Sequence, residues 1–377
     1  MQKYIIVFLL FLLPLIFFPF GTSPFEIPKI IFAEIGIELM LFFFIYKKEN
    51  INLDKKIIIP VVLIASLSII HLLFLKTETT FFGNVFRLQG VFLLWHLLLF
   101  SILSTKIKIT DIPKGFYFLS FGIIFILAFI LGTNENHRLY STLGEPNSLA
   151  ATVVFLWPIL YFSNVKKLKK IIPVKFIFPI LALILIFFSG SRSGLIAIGI
   201  QFAFLFFNNI LRISFVKSAL ICVSFILISL ALPLIEGGGI FENRSEVWQT
   251  AVIAGLKNPI FGSGFGNVEQ TLYKTSNIIL HNNVQYQYVD SSHNFILDWW
   301  VEGGIAGILL ILFLITRAFK DFILESKKLE LIVFLGIITT MLFNPVSIVV
   351  LIYFWWLIGQ SLSSKKCFTI PKKKSLN

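Results

Sequence analysis

Charge is scarce in this chain. Asp, Glu, Lys and Arg make up 14% of its 377 residues, against about 25% in an average soluble domain. In their place, 57% of positions are hydrophobic, 44 are Phe, and the mean hydropathy is +0.90. A soluble protein with that balance would leave too much apolar surface in water. A cytosolic enzyme and a disordered chain are both excluded. Cysteine is scarcer still: there are two, Cys222 inside an apolar run and Cys367 in a Lys-rich tail. A disulfide scaffold and a cysteine metal site are excluded by number. Outside the apolar runs there is no DxD, HExxH or Cys/His cluster, so no metal and no other cofactor is expected.

Acidic residues are the minority charge, 19 against 32 Lys+Arg. The excess does not point to nucleic acid, because no basic domain stands apart from the apolar runs. The basic residues lie in the short connections between those runs. A membrane span needs about 20 apolar residues. Runs and breaks predict twelve spans, at 4–20, 28–46, 57–75, 90–105, 115–132, 148–163, 173–188, 194–211, 216–234, 293–316, 329–343 and 346–363. The first has the outline of a signal peptide but no small-residue cleavage site, and it contains Pro14 and Pro19. The last pair, around Asn344-Pro345, has the length of a re-entrant hairpin.

The expected fold is an all-α polytopic membrane protein, one integral domain over 1–377, with about twelve spans and both termini inside. That orientation puts 24 of the 32 cations inside and makes every inner connection basic. The inner cations are mostly Lys. Outside, four of eight are Arg, the side chain suited to bidentate capture of phosphate or carboxylate. The outer face also holds the long loop, 235–292. Within it, Asn243 to Glu246 resembles a capping box. Val247, Trp248, Ala251, Val252, Gly255 and Leu256 then recur at helical spacing, predicting an amphipathic helix that Asn258-Pro259 ends. The stretch Gly262 to Gly266 reads as a tight turn.

Several outer constellations could carry chemistry. Arg87 stands at the entry to the fourth span, as an anion ligand or as an anchor at the interface. Ser189-Gly-Ser191-Arg192-Ser-Gly194 is a short turn that places a cation at a helix N-terminus, an anion site by construction; simple capping by Ser is the plainer role. In Tyr140 to Ser148, Glu145 is a candidate base, and Asn147 or Ser148 fits an N-cap. Arg244 opens the loop helix and matters only if that helix folds back over a cavity. His293-Asn294 leads into the tenth span where water meets membrane, and a neutral imidazole there can accept a proton. Asp298 and Glu302 follow within two turns, and intramembrane acids are costly enough to be functional candidates. Gly303 and Gly307 have small-xxx-small spacing, predicting close helix packing. Glu34 and Glu38 share a face of the second span. His71 and His96 lie within spans, where a hydrogen-bonded packing role is expected.

These segments, in this order, resemble the O-antigen ligase superfamily: O-antigen ligases, O-antigen polymerases and related protein O-oligosaccharyltransferases. The carriers are Gly144-Glu-Pro-Asn147, Ser189 to Gly194, the loop from Arg244 through Trp248 to Gly266, and His293-Asn294 followed by Gly304 and Gly307. The resemblance implies a metal-independent, inverting membrane glycosyltransferase of the GT-C type in a bacterial inner membrane. It would move a glycan from undecaprenyl diphosphate to an acceptor at the outer leaflet, ligating O-antigen to lipid A-core. It implies His293 as the catalytic base, Arg192, Arg244 and Arg87 as diphosphate cations, and Glu145, Asn147, Ser191, Asn294, Asp298 and Glu302 as support.

Two other functions compete. A polymerase would use a lipid-linked glycan as acceptor. A transporter would line a path with Glu34, Glu38, Asp298 and Glu302, but no inverted repeat supports it. If diphosphate charge is met by Arg alone, EDTA should leave transfer unchanged. Strong inhibition reversed by Mg²⁺ would refute the metal-free expectation.

Overall fold

The computed structural model describes residues 1–48, 55–75, 77–134, 137–163, 174–235, 244–279 and 289–361. Asn243 of the expected capping box, His281 and Cys367 lie outside these. The described residues are helical throughout, apart from loops and one isolated bridge between Thr133 and Leu139.

Each of the twelve apolar runs forms a helix. They are α1 (Gln2–Val7), α2 (Ile27–Tyr46), α3 (Lys55–Leu75), then a short α4 (Glu78–Phe82), α5 (Val91–Leu103), α6 (Lys114–Ile130), α7 (Pro146–Phe162), α8 (Val174–Phe188), α9 (Arg192–Leu205) and α10 (Phe215–Ile235). The long loop contributes α11 (Arg244–Lys257) and α12 (Val268–Ile279), and the chain closes with α13 (Phe295–Leu324), α14 (Lys328–Met341) and α15 (Ile348–Ser361). Among the described residues, four segments are long and apolar enough to cross a membrane by length and composition: Ile58–Leu75, Arg192–Ile210, Phe215–Pro233 and Phe295–Leu324. The first run is shorter than expected. After α1 the chain loosens into a π turn and a 3₁₀ turn ending at Leu15, and is extended at Ile16. Pro14, which cannot donate to a helix, sits at that exit.

The centre of the bundle is α7, α14 and α15, nearly every residue of which is buried. Helices of 14 residues, as α14 and α15 are, rise only about 21 Å, less than the roughly 30 Å of a hydrocarbon layer. They are seated inside the bundle and joined through Asn344-Pro345. Gln201, wholly buried, ties this centre together. Its amide donates to the carbonyls of Val154 and Ile332, both at 3.1 Å, and accepts from the Trp157 indole at 2.5 Å. Gly336 leaves it room: a Cβ there would stand 2.3 Å from Gln201 Nε2.

Polar contacts between elements gather at two ends. One end holds Lys327 on the Gln360 carbonyl, the Gln360 amide on Ser104 and Ile107, and Lys328 on Asn208 and Asn209. The other holds Arg87, Glu145, Asn147, Ser191, Arg244, Asp290, His293 and Asn344.

The tenth span is not the continuous helix expected. Gly304 has φ +58° and ψ −154°, which breaks α13 in two. The loop after α11 docks into the break. Ser263 and Gly264 donate to the carbonyls of Val301 and Glu302 at 2.8 and 2.9 Å, and Ile305 and Ala306 donate to those of Pro259 and Ile260 at 2.8 and 3.1 Å. His71 on α3 grips the same loop: its Nε2–H donates to the Phe261 carbonyl at 2.7 Å, and its Nδ1 accepts from Phe265 N–H at 3.4 Å. The stretch 262–266 is thus an inserted loop rather than a free turn. Of the α13 glycines, Gly304 is the tightest: a Cβ there would lie 2.7 Å from the Gly262 nitrogen, against 3.2 Å from the Trp299 carbonyl oxygen at Gly307 and an ordinary 3.7 Å at Gly303. Gly304→Ala should therefore lower stability by roughly 1–3 kcal/mol. Gly303→Ala should leave it nearly unchanged. Thermal unfolding of the two variants in detergent checks the difference, and equal melting temperatures would contradict it.

Candidate active site at one end of the bundle

The turn before α13 is built by its own side chains. Asp298 accepts from the Ser291 hydroxyl and the Ser292 N–H, both at 2.8 Å. Ser291 Oγ in turn accepts from His293 N–H at 3.1 Å. The Ser292 hydroxyl donates to the Asn294 carbonyl at 2.9 Å. Asn294 is the N-cap, accepting from Ile296 and Leu297 N–H at 3.0 and 3.3 Å. Between them, His293 is half-buried with φ +58°, a left-handed conformation in which His is enriched. Asp298 thus fixes the turn that presents His293. Glu302 does structural work one turn deeper, accepting from Gly266 N–H at 2.8 Å.

The α8–α9 turn meets this end through a chain of hydrogen bonds. Ser191 is the N-cap of α9, accepting from Gly194 N–H at 3.2 Å and donating to Asn147 Oδ1 at 2.8 Å. The same Asn147 oxygen accepts from Arg138 at 3.2 Å, and Arg138 also donates to the Ser189 carbonyl at 2.8 Å. Ser193 bonds Asn344 Nδ2, and Asn344 Oδ1 accepts from Arg244 at 3.4 Å. The loop helix does fold back over the bundle. Trp248, Ala251, Ala254 and Gly255 on α11 are buried, and Trp300 of α13 donates to the Val252 carbonyl at 3.1 Å. Val252 and Leu256, expected on the same stripe, are exposed. Arg192, the first residue of α9, is exposed and forms no hydrogen bond among the described residues. Asn147 and Ser148 are not N-caps. Pro146, pre-set for a first turn, starts α7 one residue earlier and leaves Glu145 in the cap position.

Arg87 sits apart, on the wall of a cavity that it shares with Asp290, Ser291, Asp298 and Trp299. Its Nε donates to Asp290 at 2.5 Å and one Nη to Glu145 at 3.4 Å. Burial alone would weaken the guanidinium's hold on its proton, but the charges of Glu145, Asp290 and Glu26 outweigh that and keep it ionised. Burial pushes the Glu26 carboxyl above the usual carboxylate range, while Arg87 and the Ile348 N–H pull it back part of the way. Of the acids on the second span, Glu38 meets His96 at 3.3 Å, and His96 also bonds the Phe92 carbonyl at 2.8 Å. That pair lies on the α2–α5 contact, away from His293.

Sequence reasoning missed Asp290, Arg138 and Asn344 as parts of this end. Asn344-Pro345 signalled only a turn, and nothing local marked the other two. It also missed α12.

Residues 177–312 match the family model described as O-antigen ligase. The resemblance to the O-antigen ligase superfamily holds over this segment. It spans Arg192, Arg244 and His293, and it supports a membrane glycosyltransferase of the O-antigen ligase or polymerase type. No curated protein matches the chain.

Asp298→Ala should open the turn before α13. Each lost bond to the carboxylate is worth about 1.5 kcal/mol or more, so exchange of the Ser292 amide should rise roughly tenfold. Asn294→Ala should instead speed exchange at Ile296 and Leu297, at a cost of about 1 kcal/mol. Hydrogen–deuterium exchange across 289–297 reads both, and an unchanged Ser292 amide would contradict the role given to Asp298.

Proposed function

We propose that the chain transfers a glycan from undecaprenyl diphosphate to lipid A-core at the outer leaflet of a bacterial inner membrane. It does so as one membrane domain with the 235–292 loop outside and both termini within. The observation that carries this is that the Arg244 helix is tied through Asn344 to the turn of Arg192 and packs against α13, the helix that His293 leads into, with Arg192, Arg244 and His293 all inside the segment that matches the family.

The chemistry follows from those groups. An acceptor hydroxyl attacks C1 of the donor sugar. Its proton passes to the His293 imidazole as the new C1–O bond forms. The bond from C1 to the phosphate oxygen breaks, and undecaprenyl diphosphate leaves with the electron pair. Arg192 and Arg244 meet the charge that grows on it, with no metal required. Attack opposite the leaving group inverts the anomeric centre. Glu145, Asn147, Ser191, Asn294, Asp298 and Glu302 position these groups. The Asn147–Ser191 bond and the Asp298 turn support that division of labour.

The test uses purified protein in liposomes with a labelled undecaprenyl-diphosphate oligosaccharide. Glycan appearing on added lipid A-core supports ligation. A ladder of longer lipid-linked glycans without that acceptor means polymerisation instead. No product in either case removes the transferase reading. His293→Ala should abolish transfer at unchanged protein level, and near-normal transfer would remove it as the base. Arg192→Lys should be nearly as damaging as Arg192→Ala, because an ammonium cannot make the bidentate contact; full activity in the Lys variant would contradict phosphate capture.

A further inference from the structure

We infer that the groove between α3 and α13, at the end of the bundle away from His293, holds an anionic phospholipid, with one acyl chain in the groove and the phosphate on Arg317 and Lys320. Such a site requires only that the chain sits in a bilayer, and it is independent of the transferase reading above.

The groove follows from how the two helices are pinned. At the level of the α13 break they pack: a Cβ at Gly303 would meet Leu67 at 3.7 Å, and His71 grips the loop docked in the break. Beyond the break, Ile59, Pro60 and Leu63 of α3 stand across from Leu309, Leu310 and Phe313 of α13, and the space they line is about 640 Å³. That lies within the roughly 300–1,000 Å³ of sites that hold a small molecule. Its apolar walls are open: Ile59, Leu63, Leu309 and Phe313 are 48–60% exposed. An acyl chain meets such walls without displacing any protein contact.

One end of the groove is charged, and with one sign. Thr316, Arg317 and Lys320 complete the lining, and no carboxylate is among it. Thr316 turns its hydroxyl back to the carbonyls of Leu312 and Phe313, at 2.8 and 3.1 Å. The two cations are therefore what this end offers a headgroup. Arg317 is half-buried, and its Nε pairs with Asp321 at 3.1 Å, which holds the guanidinium in place. Lys320 is exposed. With Asp321 offsetting one cation, a net positive charge remains at the mouth of an apolar slot. In sequence, α3 opens at this level with Lys55 and Lys56. A basic pocket between membrane helices suits an anionic headgroup, whereas a zwitterionic one brings a further cation to it. Cations that only mark topology need no groove beside them. Arg317 also lies roughly 30 Å along α13 from the His293 turn. A lipid bound here is thus distinct from the lipid whose diphosphate Arg192 and Arg244 are proposed to meet.

The test uses the full chain in phosphatidylcholine nanodiscs that contain a trace of phosphatidylglycerol with a photoreactive group on one acyl chain. After irradiation, the labelled positions are mapped by mass spectrometry. Label should concentrate on 59–63 and 309–313. A probe with the same chains and a choline headgroup should label them about fivefold less. Lys320→Gln, a change at an exposed position, should lower labelling by the anionic probe about fivefold. Asp321→Asn should raise it about threefold, because the carboxylate that offsets Arg317 is gone. Label spread evenly over the lipid-facing helices, or equal labelling by the two headgroups, overturns the inference. So does labelling that ignores both substitutions. Undecaprenyl phosphate that displaces the label better than unlabelled phosphatidylglycerol also overturns it, since the groove would then take a polyprenyl chain. His293→Ala, expected to abolish transfer, should leave the labelling unchanged, so this site and the transferase reading fail separately.

Discussion

A backbone group away from water must find its partner inside the protein, and the break in α13 is where this constraint shapes everything around it. Gly304 takes a conformation that interrupts the helix. Two carbonyls above it and two N–H groups below it lose their helical partners. The loop after α11 supplies all four from its own backbone, at 2.8 to 3.1 Å. That exchange fixes the register between loop and span, since a slip of one residue would strand every group at once. It also anchors α11 at the start of the loop and α12 at its end. The half-helix above the break then runs to Asn294 and the His293 turn. The placement of Arg244 and of His293 therefore goes back to one joint.

The arginines at this end differ less in position than in company. Arg244 donates to the amide oxygen of Asn344. Arg87 faces carboxylates that offset its charge. In a site shielded from water these differences grow, because opposite charges a few ångström apart are poorly screened.

Much of the fold was legible because its signals are local. Apolar runs of membrane length became helices, and the stripe through Trp248, Ala251 and Gly255 became α11. The motifs around Arg192 and His293 were readable because each is a short turn with its own caps. What escaped depends on distant partners. Arg87 and Asp290 are 203 residues apart, and no spacing rule links them. Asn344 looked like a turn residue because its bonds go to Ser193 and Arg244, on other helices. Gly303 and Gly307 matched a packing pattern, while the closest approach within α13 is made by Gly304. A pattern of small residues does not say which of them turns the chain. Asn147 looked like a cap because its type suits one, yet Pro146 claimed the start of the helix and freed its side chain for Ser191 and Arg138.

The state of Arg192 before the reaction bears on how it can accelerate one. Its backbone is fixed: Ser191 caps the helix, and α9 packs so closely on α7 that a Cβ at Gly194 would stand 2.6 Å from Ala150. Its side chain is exposed and forms no hydrogen bond among the described residues. A cation recruited from a salt bridge must first break it, which offsets what it then contributes. A cation held in place but uncommitted has no such cost. Binding that is equal in ground and transition states lowers KM without raising kcat. In the transfer proposed above, an arginine whose anchor is rigid and whose head is open would strengthen its contact as charge moves from C1 to the departing diphosphate, and then let that product go. Arg87, held by Asp290 and Glu145, could do neither without dismantling the cavity it lines.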